Sequence, residues 1–121
     1  MTTQEVANKY YALMLANRRE EIVQELYSQD IVCREPEQAL AAGIPTITKG
    51  LDAVKAKAKA RGEMIAAIHG DFCSEPIIAG SFFSVALGRD ITLKGRPRMN
   101  LQEIGVFEVK DGKIVLEQFF Y

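Results

Sequence analysis

The sequence predicts an α+β fold, with helices laid on one face of an antiparallel sheet, and three observations carry that reading. Apolar residues recur at helical spacing through the first half of the chain. After Ala66 they alternate with polar residues, and Asp111-Gly112 stands between two apolar runs near the end. A length of 121 residues suits a single domain, residues 1–121. With 15 Lys+Arg against 16 Asp+Glu, the chain lacks the basic excess of a nucleic-acid binder. No apolar run approaches the roughly 18 residues of a membrane span. Met1-Thr2-Thr3-Gln4-Glu5 has no leader character, so a cytoplasmic protein is expected. Cys33 and Cys73 stand far apart without a C-x-x-C pair, so neither a disulfide framework nor a metal site is expected.

The first helix runs from Thr3 to Ala16, free of Gly and Pro, with Val6, Tyr10 and Leu13 on one stripe and Ala7, Tyr11 and Met14 beside it. Asn17, followed by Glu20, reads as the N-cap of a second helix that ends near Tyr27 and buries Ile22, Val23, Leu26 and Tyr27. Asp30 to Pro36 is a short strand stopped by proline, and Glu37 to Lys49 reads as a long loop. Gly50 precedes a third helix from Leu51 to Ile65, with Leu51, Val54, Ala58 and Ile65 on its inner side. Its Lys55, Lys57, Lys59 and Arg61 read as a solvated cationic surface toward the C-terminus, where the helix dipole favours them.

In the second half, Phe83, Val85, Leu87, Ile91 and Leu93 alternate with Ser84, Ala86, Gly88, Asp90 and Thr92. Asp-Gly is the signature of a two-residue type I′ hairpin, which pairs Lys110 with Lys113 and Val109 with Ile114. Carried on without a slip, that register pairs Phe107 with Leu116, Gly105 with Gln118 and Glu103 with Phe120. One face then starts apolar at the turn and becomes polar at Glu103 and Gln118, the lining expected of a pocket. A bulge would shift the register by one and put both outside, and the pattern alone leaves the two registers open. The opposite face, with Ile104, Val106, Val115, Phe119 and Tyr121, is too apolar for solvent and calls for a second copy of the chain.

Tyr27-Ser28-Gln29-Asp30 through Arg34-Glu35-Pro36, then Gly50-Leu51-Asp52-Ala53-Val54, then Asp111-Gly112-Lys113-Ile114-Val115, occur in an order that resembles the nuclear transport factor 2-like superfamily. The closing Glu117-Gln118-Phe119-Phe120-Tyr121 resembles its small SnoaL-like members, relatives of polyketide cyclases and ketosteroid isomerases. The resemblance implies a cone-shaped half-barrel of cystatin-like type, with three helices and a bent sheet around a deep pocket, and usually a homodimer. It implies proton-transfer chemistry without metal or cofactor. Ketosteroid isomerases carry a general base just before a proline at the end of the first strand, and an oxyanion-binding tyrosine 24 residues earlier. Those positions are Glu35 and Tyr11 here. Their third element, a protonated acid, falls on Gly105, a departure from the pattern, and Glu103, two residues away on the same face, is the candidate substitute.

The expected catalytic residues are therefore Glu35, Tyr11 and Glu103, with Gln118, Phe107, Leu116, Phe120, Asp90 and His69 around the ligand. Asp90 reads equally as a pocket acid or as an outer-face charge paired with a lysine. His69, Asp71 and Cys73 share one face of a strand but span too far to converge on a metal. The favoured function is binding of a small, largely apolar molecule, with isomerase-type or cyclase-type proton transfer. The alternative is a non-catalytic binding or dimerisation module, whose carboxylates are tied up by Arg34, Arg89 or Arg98. A weaker third reading is a protein-interaction adaptor with its own exposed apolar groove.

Overall fold

A computed structural model describes residues 1–121. Helix α1, Thr3–Leu15, opens on a reciprocal cap: Thr2 Oγ1 accepts from the Glu5 amide at 3.1 Å, and the Thr2 amide donates to Glu5 Oε1 at 2.9 Å. The helix buries Val6, Ala7, Tyr10 and Leu13. Asn17 does not cap the next helix. It adopts a left-handed φ of +57°, which asparagine tolerates, and turns the chain so that α2 starts at Arg19 and runs to Leu26 without a side-chain cap. Tyr27 belongs to strand β1, Tyr27–Arg34, rather than to the helix. The expected loop holds a 3-10 helix, Glu37–Ala42, and a short strand β2, Ile47–Lys49. Helix α3, Leu51–Glu63, is followed by β3 (Ile65–Cys73), β4 (Ile77–Ala79), β5 (Phe82–Leu93), β6 (Arg98–Lys110) and β7 (Lys113–Phe120).

The strands form one open sheet in the order β2-β1-β7-β6-β5-β3, with β4 on β5. All neighbours are antiparallel except β1 and β7, which run parallel and bring the first strand beside the last. The helices pack on the inner face of this curved sheet, a cone-shaped half-barrel. Its apolar end is an aromatic cluster in which Phe107 stacks on Phe83 and tilts against Tyr10, each at a centroid distance of 4.8 Å. Such pairs contribute about 0.5–1.5 kcal/mol each beyond their area burial. No helix is long and apolar enough to cross a membrane.

The final hairpin turns as expected, with Asp111 and Gly112 at φ of +53° and +74° and Lys110 opposite Lys113. The register then slips. Val109 faces Ile114 but Glu108 faces Leu116, so Val115 is an extra residue on β7. Beyond this bulge Phe107 pairs with Glu117, Gly105 with Phe119, and Val106 with Gln118. The slip corrects the unshifted register. Glu103 keeps its place on the inner face, whereas Leu116, Gln118 and Phe120 go outside, and Phe119 and Glu117 come in.

Candidate functional site

Besides Asp71 on β3, three carboxyls reach the inner face, from β1, β7 and β6. Alternation along β1 buries Ile31, Cys33 and then Glu35, which is only 8% exposed at the strand's end. The bulge on β7 buries Glu117, placed opposite Cys33 by the parallel β1–β7 pairing. On β6, Glu103 follows Phe107 and Gly105 toward the open end of the cone and is half-buried.

Each of the first two has a phenol of its own. Tyr121 Oη donates to Glu35 Oε2 at 2.9 Å, and the buried Tyr27 hydroxyl donates to Glu117 Oε2. Lys57 closes the cluster. Its Nζ lies 2.8 Å from Cys33 Sγ and 3.4 Å from Glu35 Oε1, with a fifth of the side chain exposed. This corrects the reading of α3 as solvated around its cations. The stripe it turns to the sheet is Leu51, Val54, Lys57 and Arg61, while Ala58 is exposed.

Burial shapes the protonation of the cluster. It raises the pKa of Glu117, against the pull of the Tyr27 hydrogen bond and of Lys57. It also raises that of Glu103, which has no hydrogen-bond partner; the charges of Glu35 and Glu117 act in the same direction, and Arg61 and Arg19 oppose them. The Cys33 thiol is pushed up to about 12, chiefly by burial and then by Glu117, and stays a neutral thiol. Tyr27 and Tyr121 are likewise held as neutral donors, first by burial and then by the carboxylates they face.

The other expected residues fall elsewhere. Tyr11 is half-buried against the core and has no hydrogen bond to Glu35; the phenols that meet carboxylates are Tyr27 and Tyr121. Phe107 is fully buried within the aromatic cluster. Asp90 is an outer-face charge, gripped by Arg98 through two bonds of 2.9 and 2.7 Å rather than by a lysine. His69 is exposed and within 2.8 Å of Thr92 Oγ1. On the outer face, Phe72, Ile104 and Phe120 are each about half exposed, beside a hollow of about 670 Å3 over Gly70, Ala86 and Gly88. Gly105 is needed where it stands, since a Cβ there would lie 2.9 Å from the Phe107 ring. A carboxyl at that position has no room.

Sequence reasoning missed Glu117, Lys57, Tyr27 and Tyr121. The signal for Lys57 was present in its helical spacing from Leu51 and Val54. For Glu117 none was available without the bulge.

Three helices on one face of an open, bent sheet, with a polar cluster at the mouth of an aromatic core, define a nuclear transport factor 2-like domain. The whole chain, residues 1–121, matches the model of the SnoaL-like domain, and the protein belongs to that family. Its structure is similar to that of a protein assigned as a SnoaL-like polyketide cyclase from Mesorhizobium loti. The two share 26% identity over 100% of both chains, with a TM-score of 0.91. An NTF2-like protein of unknown function from Burkholderia pseudomallei aligns at 18% identity over 98% of this chain and 89% of its own, with a TM-score of 0.80. TerC, co-crystallised with polyporic acid, aligns at 18% identity over 98% of this chain and 90% of its own, with a TM-score of 0.78. No functionally curated protein matches the sequence.

Proposed function

We propose that the protein binds a small, largely apolar carbonyl compound in the mouth of the cone and moves a proton on it without a cofactor. One observation carries the reading: an oriented carboxylate, Glu35, and an unpartnered, half-buried carboxyl, Glu103, share one face above an aromatic floor. Glu35, steadied on one oxygen by Lys57 and on the other by Tyr121, accepts the proton from the carbon beside the carbonyl. Glu103, biased by its burial toward the neutral acid, donates to the oxygen that becomes an enol. Tyr11 is not needed for either step. The TerC structure with polyporic acid supports the fold's use as a small-molecule receptacle.

The test is deuterium exchange at the methylene beside the carbonyl of butyrophenone, followed by NMR. Glu35→Gln keeps the side-chain volume and should reduce the enzyme-dependent exchange at least about a hundredfold, the lower end of what a positioned base contributes. Exchange that persists in Glu35→Gln removes Glu35 as the base. A second reading, a binding module without chemistry, is favoured by the fact that both Glu35 oxygens already have donors. It predicts that butyrophenone binds and never exchanges.

A further inference from the structure

The open end of the inner face carries more positive charge than its carboxylates balance. Arg89 on β5 and Arg19 at the start of α2 converge on one residue, Asp71 on β3, with Nε and Nη2 at 3.0 and 3.5 Å from the same Oδ1. Arg19 Nε is buried and has no hydrogen-bond partner at all. Leaving such a donor unmatched is costly, more so in a charged group. Burial and the neighbouring Arg89 both disfavour the Arg19 charge, as expected of two guanidiniums crowded onto one carboxylate. A third guanidinium, Arg61, points inward on the α3 stripe and has no ion-pair partner.

Glu103 lies within electrostatic reach of both Arg19 and Arg61 but bonds to neither. Its burial biases it toward the neutral acid, and even an ionised Glu103 leaves one of the three guanidiniums without a counter-charge. Lys57, by contrast, is already matched by Glu35. Three guanidiniums thus share two carboxyls at this end of the face: Arg19 and Arg89 meet Asp71, and Arg61 and Arg19 lie within electrostatic reach of Glu103. A structural network would close on itself, with each donor matched. This one leaves Arg19 Nε without a hydrogen-bond partner and Arg61 without an ion pair.

We infer that the substrate of this site is a keto acid, whose carboxylate is received by Arg19, Arg89 and Arg61 while its apolar body lies over Leu87 and Phe119. The inference rests on the proton-transfer reading and gives it a direction. The carboxylate anchors at the arginine end, and the carbon that loses the proton then falls toward Glu103 and Glu35. Planar guanidiniums suit this task because they meet a carboxylate with two parallel donors.

The experiment compares two aryl ketones that differ in charge, β-benzoylpropionate and butyrophenone, titrated into the full-length protein and followed by NMR shift changes and calorimetry. The acid should bind at least about tenfold more tightly than the neutral ketone. Arg61→Gln and Arg19→Gln should each reduce that preference at least about fivefold, and Arg98→Gln, on the outer face, should leave it unchanged. Arg61 sits on a half-exposed helix, so its variant keeps the test available if Arg19→Gln fails to fold. Equal affinity for the two ketones, binding of neither, or a preference untouched by Arg61→Gln overturns the inference. The exchange experiment separates the two claims. Loss of butyrophenone exchange in Glu35→Gln supports proton transfer whatever the charge preference. A charge preference combined with Glu35-independent exchange removes the assigned base and leaves the arginine site standing.

Discussion

Replacing Gly105 by alanine tests whether the middle of the inner face is filled by aromatic rings or left open. The added Cβ would stand 2.9 Å from Phe107 Cε2, 3.1 Å from its Cζ and 3.4 Å from Phe119 Cε1. Phe107 has no exposed surface and is held by Phe83 and Tyr10 at 4.8 Å, so its ring cannot turn aside. Overpacking of this kind costs about 1–3 kcal/mol. Removing a glycine from a strand interior returns roughly 0.5–1 kcal/mol, because the unfolded chain becomes less flexible. The net expectation is a loss of about 1–2 kcal/mol, which lowers Tm by roughly 3–10 °C in a domain of this size. Equilibrium urea unfolding measures the loss, and repeating it in a Phe107→Leu background identifies its source. Leucine has no Cε2 or Cζ, so the alanine should cost less there, with a coupling of about 1 kcal/mol. A Gly105→Ala protein as stable as its parent, or an equal cost in both backgrounds, would refute the argument.

Glu117→Gln tests the buried acid. Burial holds the folded Glu117 above its ordinary value of 4.5, so the folded state binds more protons than the unfolded one. Its contribution to stability is therefore complete in acid and declines as pH rises through the folded pKa. Glutamine does not titrate, so the stability of Glu117→Gln relative to the parent should grow as pH rises above the ordinary carboxyl value of 4.5. Urea midpoints along that series check the sign, and a flat difference would contradict it. The outer face supplies another test. A second copy seated on Phe72, Ile104 and Phe120 predicts that Phe72→Glu reduces self-association at least about tenfold, read by sedimentation velocity against concentration. Unchanged association would place the contact elsewhere.

The fold was legible because each of its signals is local. Helical spacing in α1, alternation along β5 and the Asp111-Gly112 turn each report on a few neighbouring residues, and they agree. The site was legible only where alternation continues without a break, as from Val109 back to Glu103 and from Ile31 to Glu35. It was lost at Val115, a β-branched residue well suited to a strand, with no glycine to mark the bulge. Nor did side-chain chemistry distinguish the registers, since Phe119 and Tyr121 are as suited to the interior as Leu116 and Phe120. Lys57 was misread for another reason. A lysine is expected in water until a partner such as Glu35 is known to lie in reach, and that partner is 22 residues away in the chain.

The bulge on β7 also bears on how relatives of this protein should be compared. Strand β7 holds one residue more than β6 can pair, and that slack is stored at Val115. Stored instead at the far end of the strand, the same residues would present Leu116, Gln118 and Phe120 to the interior and Glu117 to solvent. What β7 contributes to the cone thus depends on where the slack sits as well as on which residues the strand carries. Aligning relatives residue by residue along this strand will then compare an inner acid with an outer one. Relatives should be matched there by where the slack sits, and only afterwards by which residues they carry.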